Sequence, residues 1–165
     1  MVKQFVGRYA NGRGMSSQQL HWQHPDVTEY LGGVPHPGSF NIVLSEPVDL
    51  PPEDSVIKLG ENRRFWHLNI FGQNCLVYRW PECPMHIVEC ISLVKLSDFV
   101  TYSTQQIDVL IPRVKPIPRW KYFAWQYVWS NPNFDYYSDE YWNMVQRNVF
   151  TRKLARLARQ SNKWK

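Results

Sequence analysis

Cysteine is scarce in this sequence, and a long apolar run is missing. The three cysteines, Cys75, Cys83 and Cys90, are odd in number, which excludes a complete disulfide framework within one chain. Their spacing does not match a zinc site, so we expect reduced thiols, as is usual in the cytosol. No stretch approaches the ~18 apolar residues of a membrane span, and the N-terminus lacks the apolar segment of a signal peptide. These features predict a cytoplasmic protein.

Acidic residues are absent from the last part of the sequence. Residues 141–165 contain seven lysines and arginines and no aspartate or glutamate. Because the whole chain has a net charge of +5, the first 140 residues together carry the difference, −2. The basic character therefore belongs to the C-terminal segment and not to the body of the protein.

Short alternating segments separated by turn residues dominate the first two thirds of the chain. Such segments predict β-strands, and the aromatic content of 15% is ample for a packed core. The predicted strands are residues 2–9, 39–44, 56–59, 65–71, 74–80, 87–93 and 107–111. A short helix is expected near residues 27–31, with Asp26 as its cap. The pattern predicts a mainly β fold, a small barrel or sandwich.

The chain changes character after residue 112. Three prolines, Pro112, Pro116 and Pro118, mark a boundary, and six aromatic residues follow within residues 119–129. Ser138 is a good N-cap for a basic helix over residues 139–159. We therefore predict a β domain over residues 1–112, followed by a Pro/aromatic-rich linker and a basic C-terminal helix over residues 113–165 that packs on or extends from it.

Two segments contain residue types that suit a phosphate or a metal ion. Glycines in Gly12-Arg13-Gly14 let backbone N–H groups approach an anion, although a plain turn has the same composition. Arg13 either reaches a phosphate or is solvated. In residues 35–41, PHPGSFN, Ser39 and Asn41 share one face of a strand, and their oxygens suit Mg²⁺. The alternative is a strand with two solvent-facing polar residues.

The order of these segments resembles that of the archaeal CTP-dependent riboflavin kinases, which are small cradle-loop β-barrels. The resemblance covers residues 1 to about 112 and implies a six-stranded barrel that transfers phosphate from CTP to riboflavin. It rests on five segments: GRYANGRG at 7–14, PHPGSFNI at 35–42, IVECI at 87–91, VKLS at 94–97 and QIDVLI at 106–111.

The resemblance also implies roles for individual residues. The glycine-rich loop, here Gly12, Arg13 and Gly14, would bind the phosphates of CTP. Ser39 and Asn41 would hold Mg²⁺. Val94, Lys95 and Leu96 would contact the nucleotide, and Glu89 would contact the acceptor.

Two residues are candidates for catalytic work in such an enzyme. Glu89 could orient or deprotonate the acceptor hydroxyl, and His86, three residues earlier, could assist as a base or hydrogen-bond donor. For Glu89 the alternative is a strand position facing solvent. For His86 it is an ordinary surface histidine.

The chain departs from the family at three positions, two of which lie on the acceptor side. Ser16 replaces a third glycine of the loop, Pro81 replaces a flavin-contacting threonine, and Ser97 replaces an arginine. The acceptor could therefore be another hydroxylated molecule, such as a sugar or polyol. A barrel that binds a nucleotide or ligand without catalysis is a further hypothesis.

The C-terminal segment leaves other partners open. The aromatic residues 120–129 could cover the barrel or wall an acceptor pocket. The basic helix could pack through Trp142, Val145 and Val149 with a solvated outer face, or bind nucleic acid, as some cradle-loop barrels do. It could also lie on an anionic membrane, with four apolar residues inserted: Phe150, Leu154, Leu157 and Trp164.

Overall fold

Seven strands and three α-helices make up the described part of the protein. The structure is a computed structural model, and it describes residues 2–11, 23–61, 63–79, 83–102, 105–129 and 149–157. The strands are β1 (Lys3–Ala10), β2 (Phe40–Leu44), β3 (Ile57–Leu59), β4 (Arg63–Ile70), β5 (Gln73–Arg79), β6 (Ile87–Ser92) and β7 (Gln106–Ile111). The helices are α1 (Pro25–Leu31), α2 (Arg119–Trp129) and α3 (Val149–Leu157).

The strands form one antiparallel sheet in the order β3-β4-β5-β6-β2-β1-β7. The sheet curls until β4 packs against β7, and side chains of these two strands, such as Trp66 and Val109, share one core. The prediction of a mainly β fold is confirmed. The predicted closed barrel of six strands is not what the described residues show, because they form seven strands in an open sheet. Short β3 pairs only with β4 and lies at one edge.

The predicted strands all agree with the observed ones to within two residues. Alternation made them visible in the sequence, since in β4 Trp66, Leu68 and Ile70 are buried whereas His67 and Asn69 are exposed. Strand β6 is buried at every position, because both of its faces are covered. One face belongs to the core inside the curled sheet, which we call the inner face.

The other face of the sheet, the outer face, is covered in two places. Helix α1 packs Val27 and Leu31 onto Phe65, Tyr78 and their neighbours. At the other end of this face, α2 and α3 pack on Val43 of β2, Ile87 of β6 and the segment before β6. The cluster includes Val43, Cys83, Met85, Ile87, Trp125, Trp129 and Ala155. Between the two patches lies the middle of β2 and β6.

The helices differ from the predictions in detail. Helix α1 begins one residue earlier than the cap predicted for it, and its cap is His24, whose Nδ1 accepts a hydrogen bond from Asp26 N. Helix α2 forms where the sequence suggested only an aromatic segment. Helix α3 confirms the predicted helix over Val149–Leu157, and the rest of that prediction lies outside the described residues. In the described ranges, no helix is long and apolar enough to cross a membrane.

Candidate functional site

A row of paired residues that contains Asn41 and Glu89 crosses the outer face of the sheet. In the strand register Ala10 lies opposite Asn41, Asn41 opposite Glu89, and Glu89 opposite Tyr78. Directly paired residues point to the same face of a sheet. Asn41 and Glu89 are both buried, so the alternative in which these polar residues face solvent is wrong.

Ser39 joins this row through its hydroxyl group. Ser39 Oγ donates a hydrogen bond of 2.8 Å to Glu89 Oε1 and lies 3.3 Å from Asn41 Oδ1. A hydroxyl has one proton, and the charge-assisted bond to the carboxylate is the stronger of the two. Oxygen atoms of Ser39, Asn41 and Glu89 therefore meet at the start of β2. The spacing of Ser39 and Asn41 predicted that these two side chains share one face. The contact with Glu89 was not predicted.

The charge of Glu89 acts on its neighbours. Burial raises the pKa of the Tyr78 hydroxyl, and the Glu89 carboxylate beside it raises that pKa further, whereas Arg63 opposes both effects. Burial also raises the pKa of the Cys90 thiol well above its usual range. Both groups are therefore protonated at neutral pH, and neither is suited to act as an anionic nucleophile.

A cleft of about 170 Å³ lies next to this polar cluster. Its walls are the segment before β2, the end of β6 and the turn that follows β6. The lining residues are Tyr9, His36, Pro37, Gly38, Ser39, Phe40, Cys90, Ser92, Val94, Lys95, Leu96 and Ser97. Ser39 thus belongs both to the cleft wall and to the hydrogen-bonded cluster.

Local interactions hold the two walls of the cleft in place. The backbone N–H of His36 donates to the Ser92 carbonyl at 2.8 Å, which ties the segment before β2 to the end of β6. The Ser92 hydroxyl donates to the Val94 carbonyl at 2.6 Å and fixes the turn. Gly38 has a φ of 96°, which side chains other than glycine rarely allow. The segment before β2 thus turns sharply just before Ser39.

The residues predicted to contact the nucleotide all line this cleft. Val94 and Lys95 are exposed at its mouth, and Leu96 is buried. Lys95 Nζ lies 3.3 Å from Asp98 Oδ1 on the surface. Residues 94–96 are thus brought next to Ser39, although more than 50 positions separate them in the sequence.

The predicted phosphate-binding residues Gly12, Arg13 and Gly14 lie outside the described residues. The strand that leads to them is described, and its last residue, Ala10, pairs with Asn41. Strand β1 therefore ends beside the polar cluster.

His86 lies elsewhere, beneath α2. Its ring is 5.6 Å from that of Trp125 and 5.3 Å from that of Trp129. Burial, and secondarily the positive charge of Arg79, lower the pKa of His86 to about 3, so the ring is neutral at physiological pH. The interpretation as a surface histidine is wrong, and the structure does not bring His86 into the cluster around Glu89.

Two features of the site region were missed in the sequence. Tyr9 stacks on Phe40 at 4.9 Å between ring centroids, and both rings line the cleft. Arg79 is completely buried and donates to the carbonyls of Val48, Met85 and Ile87 at 2.8–3.0 Å. Neither feature gave a signal in the sequence. The stacking depends on the pairing of β1 with β2, in which Tyr9 lies opposite Ile42 and diagonal to Phe40, and an arginine in a strand gives no sign that it will be buried.

The oxygen atoms of Ser39, Asn41 and Glu89 fit a hard divalent cation. A hydroxyl, an amide carbonyl and a carboxylate are typical Mg²⁺ ligands, and here they converge within 2.8–3.3 Å of Ser39 Oγ. Within the described ranges, there is no group of three or more His, Cys, Asp or Glu side chains that could hold a metal.

No family model matches the chain, and no curated protein sequence matches it. Any function proposed for this protein therefore depends on the residues, the geometry and the resemblance described above.

Proposed function

We propose that this protein is a CTP-dependent kinase that transfers the γ-phosphate to a hydroxyl group of riboflavin or of another hydroxylated acceptor. The observation that carries the proposal is the hydrogen bond of 2.8 Å between Ser39 and Glu89 at the wall of a cleft that is also lined by Val94, Lys95 and Leu96. Residues expected to serve the metal, the nucleotide and the acceptor are thus neighbours in space.

The transfer itself needs one bond to form and one to break. The acceptor oxygen forms a bond to the γ-phosphorus, and the bond between that phosphorus and the β–γ bridging oxygen breaks, so that CDP leaves. The acceptor proton passes to the Glu89 carboxylate, which acts as general base. Glu89 is suited to this role because it is a carboxylate held at a fixed position by Ser39.

Ser39 and Asn41 would hold Mg²⁺, with Glu89 beside them. When bound, the ion would neutralise the charge that develops on the phosphate oxygens. The fold would fix where these side chains lie. Strands β2 and β6 hold Asn41 and Glu89 at paired positions, and the turn at Gly38 sets the direction of Ser39. A Thr in place of Ser39 would keep the same hydroxyl.

The nucleotide would use the cleft and the segment that follows β1. The cleft volume of about 170 Å³ is below the ~300–1,000 Å³ of typical ligand pockets, so it would take only part of a nucleotide. We assign the cytosine end to residues 94–96 and the phosphates to Gly12, Arg13 and Gly14. The pairing of Ala10 with Asn41 supports this arrangement, because β1 ends beside the residues assigned to the metal.

The fold would be a variant of the cradle-loop barrel. The curled antiparallel sheet and the packing of β4 against β7 support this kinship, with β3 as an additional edge strand. The cleft wall departs from the family at Ser97, where an arginine would be expected. The family's flavin-contacting threonine is also replaced, by Pro81, and this change favours an acceptor other than riboflavin, such as a sugar or polyol.

Phosphate transfer from γ-labelled CTP tests the proposal. The full chain is incubated with Mg²⁺ and, separately, with riboflavin, a set of sugars and a set of polyols, and labelled acceptor and CDP are measured. We expect CDP and labelled acceptor to form in equal amounts with at least one acceptor. Glu89→Gln should lower the rate by about 10²-fold or more, while the exposed control Glu61→Gln should leave it unchanged.

Other outcomes assign other functions. Nucleotide binding without transfer to any acceptor would indicate a binding protein that lacks catalysis. Absence of nucleotide binding, together with salt-sensitive binding of nucleic acid that is lost when residues 141–165 are removed, would indicate a nucleic-acid-binding module. Either result would overturn the kinase proposal.

A further inference from the structure

Helix α2 exposes an aromatic stripe on the side that does not face the sheet. Trp120, Phe123 and Tyr127 are spaced by three and four residues, so they lie along one face of the helix. They are 58%, 64% and 60% exposed. The opposite side of α2 packs on the body through Ala124, Trp125 and Val128, among others. Helix α2 therefore has two apolar faces: one packs on the body of the protein, and the other, the aromatic stripe, is exposed.

Helix α3 extends this surface. The ring of Phe150 makes an edge contact with the ring of Tyr127, with 6.0 Å between centroids. Val149, Phe150 and Leu157 are exposed, whereas Ala155 is buried against α2. The interpretation in which Val149 packs on the body is wrong. Leu154, one of the residues that would insert if the helix lay on a membrane, instead packs against the cluster that contains Trp125 and Val128 of α2.

Positive charge lies on and beside this apolar area. Arg152, Lys153 and Arg156 are exposed on α3, and Arg119 is exposed at the start of α2. We use the name aromatic-basic surface for the set Arg119, Trp120, Phe123, Tyr127, Val149, Phe150, Arg152, Lys153, Arg156 and Leu157. Neither helix contains an acidic residue, so the charge of the set is not neutralised from within these elements.

We propose that the aromatic-basic surface docks the protein on an anionic phospholipid membrane. Aromatic rings with exposed aliphatic residues and Lys/Arg side chains are the composition of helices that lie in the membrane interface. The complementary charge is that of anionic headgroups, which attract basic residues near the surface. This function is independent of the kinase proposal.

A single-stranded nucleic acid fits the surface less well. Its bases would stack on the aromatic rings and its phosphates would pair with the arginines. However, Val149 and Leu157 offer nothing that stacks on a base, and their exposed side chains are stabilised when buried in lipid. The aliphatic part of the surface thus favours the membrane.

Vesicle co-sedimentation tests the proposal with the full chain. The probes are vesicles of pure phosphatidylcholine and vesicles with 30% phosphatidylserine. We expect the chain to bind the anionic vesicles more strongly than the phosphatidylcholine vesicles, by at least ~fivefold for each basic residue that contacts the surface. Added salt should weaken this binding. Equal binding to both vesicle types, or no binding to either, would overturn the proposal.

Paired variants show whether the aromatic-basic surface is responsible for vesicle binding. Lys153→Glu with Arg156→Glu should reduce binding to anionic vesicles by at least ~tenfold, whereas the control Arg8→Glu with Lys58→Glu, on exposed strand positions, should not. Phe123→Ser with Tyr127→Ser should also abolish binding, in contrast to Tyr102→Ser on an exposed loop residue. Circular dichroism confirms that each variant is folded.

The remaining outcomes contradict the proposal. If the surface variants bind vesicles as well as their controls do, the membrane contact lies elsewhere. If the chain binds single-stranded nucleic acid but not vesicles, and the same variants lose that binding, the surface belongs to a nucleic acid.

Discussion

At the scale of single residues, Ser39 connects the cleft to the buried pair of Asn41 and Glu89. Its hydroxyl donates to a carboxylate that is only 9% exposed. A buried carboxylate is costly unless it is paired or hydrogen-bonded. Ser39 therefore contributes to stability as well as to the proposed metal site.

Removing the Ser39 hydroxyl should affect both stability and binding. We expect Ser39→Ala to lower the free energy of unfolding by about 1–3 kcal/mol, the cost of a lost hydrogen bond to a charged group, and to weaken Mg²⁺-dependent CTP binding. Ser39→Thr should restore both properties because it keeps the hydroxyl. Urea unfolding and CTP titration measure the two effects, and Ser45→Ala, at an exposed position, is the control. A fully stable Ser39→Ala variant would contradict the role of this bond.

At the scale of elements, some features were visible in the sequence and others were not. Strands such as β4 were predicted because apolar residues alternate along them. The polar cluster was predicted only in part, since the pairing of Asn41 with Glu89 depends on which strands become neighbours. Helix α2 was missed because aromatic residues lie on both of its sides, which conceals the usual periodicity of an amphipathic helix. The burial of His86 depends on the docking of that helix.

The two sides of α2 should respond differently to truncation. Trp125→Ala removes a ring buried against His86, and we expect it to lower the free energy of unfolding by about 3–5 kcal/mol. Phe123→Ala, on the exposed stripe of the same helix, should change it by less than about 0.5 kcal/mol. Urea unfolding measures both variants. Similar losses for the two would show that the stripe is also part of the packing.

At the scale of the whole molecule, stability should depend on pH through His86. Its pKa is lowered from 6.5 to about 3 in the folded state, so the unfolded chain binds one more proton between these values. The stability that comes from the neutral, buried ring is therefore complete above about pH 6.5 and is lost as the pH falls toward 3.

Denaturant titrations at several pH values test this dependence. Between pH 6 and pH 4 we expect the free energy of unfolding to fall more steeply in the wild type than in His86→Leu, by about 1.4 kcal/mol per pH unit. The exposed His67 serves as the control, and His67→Asn should behave as the wild type does. Parallel curves for the wild type and His86→Leu would contradict the buried, neutral state of this residue.

The proposed function depends on a metal site, formed by Ser39 and Asn41, that serves a bound nucleotide. Calorimetric titration of the full chain with CTP, with and without Mg²⁺, tests this site, and ATP and GTP serve as competitors. We expect Mg²⁺ to tighten CTP binding at least ~tenfold. Asn41→Ala should lose this dependence, whereas Asn69→Ala, on an exposed position of β4, should keep it. CTP binding that is absent, or equally strong with and without Mg²⁺, would contradict the proposed metal site.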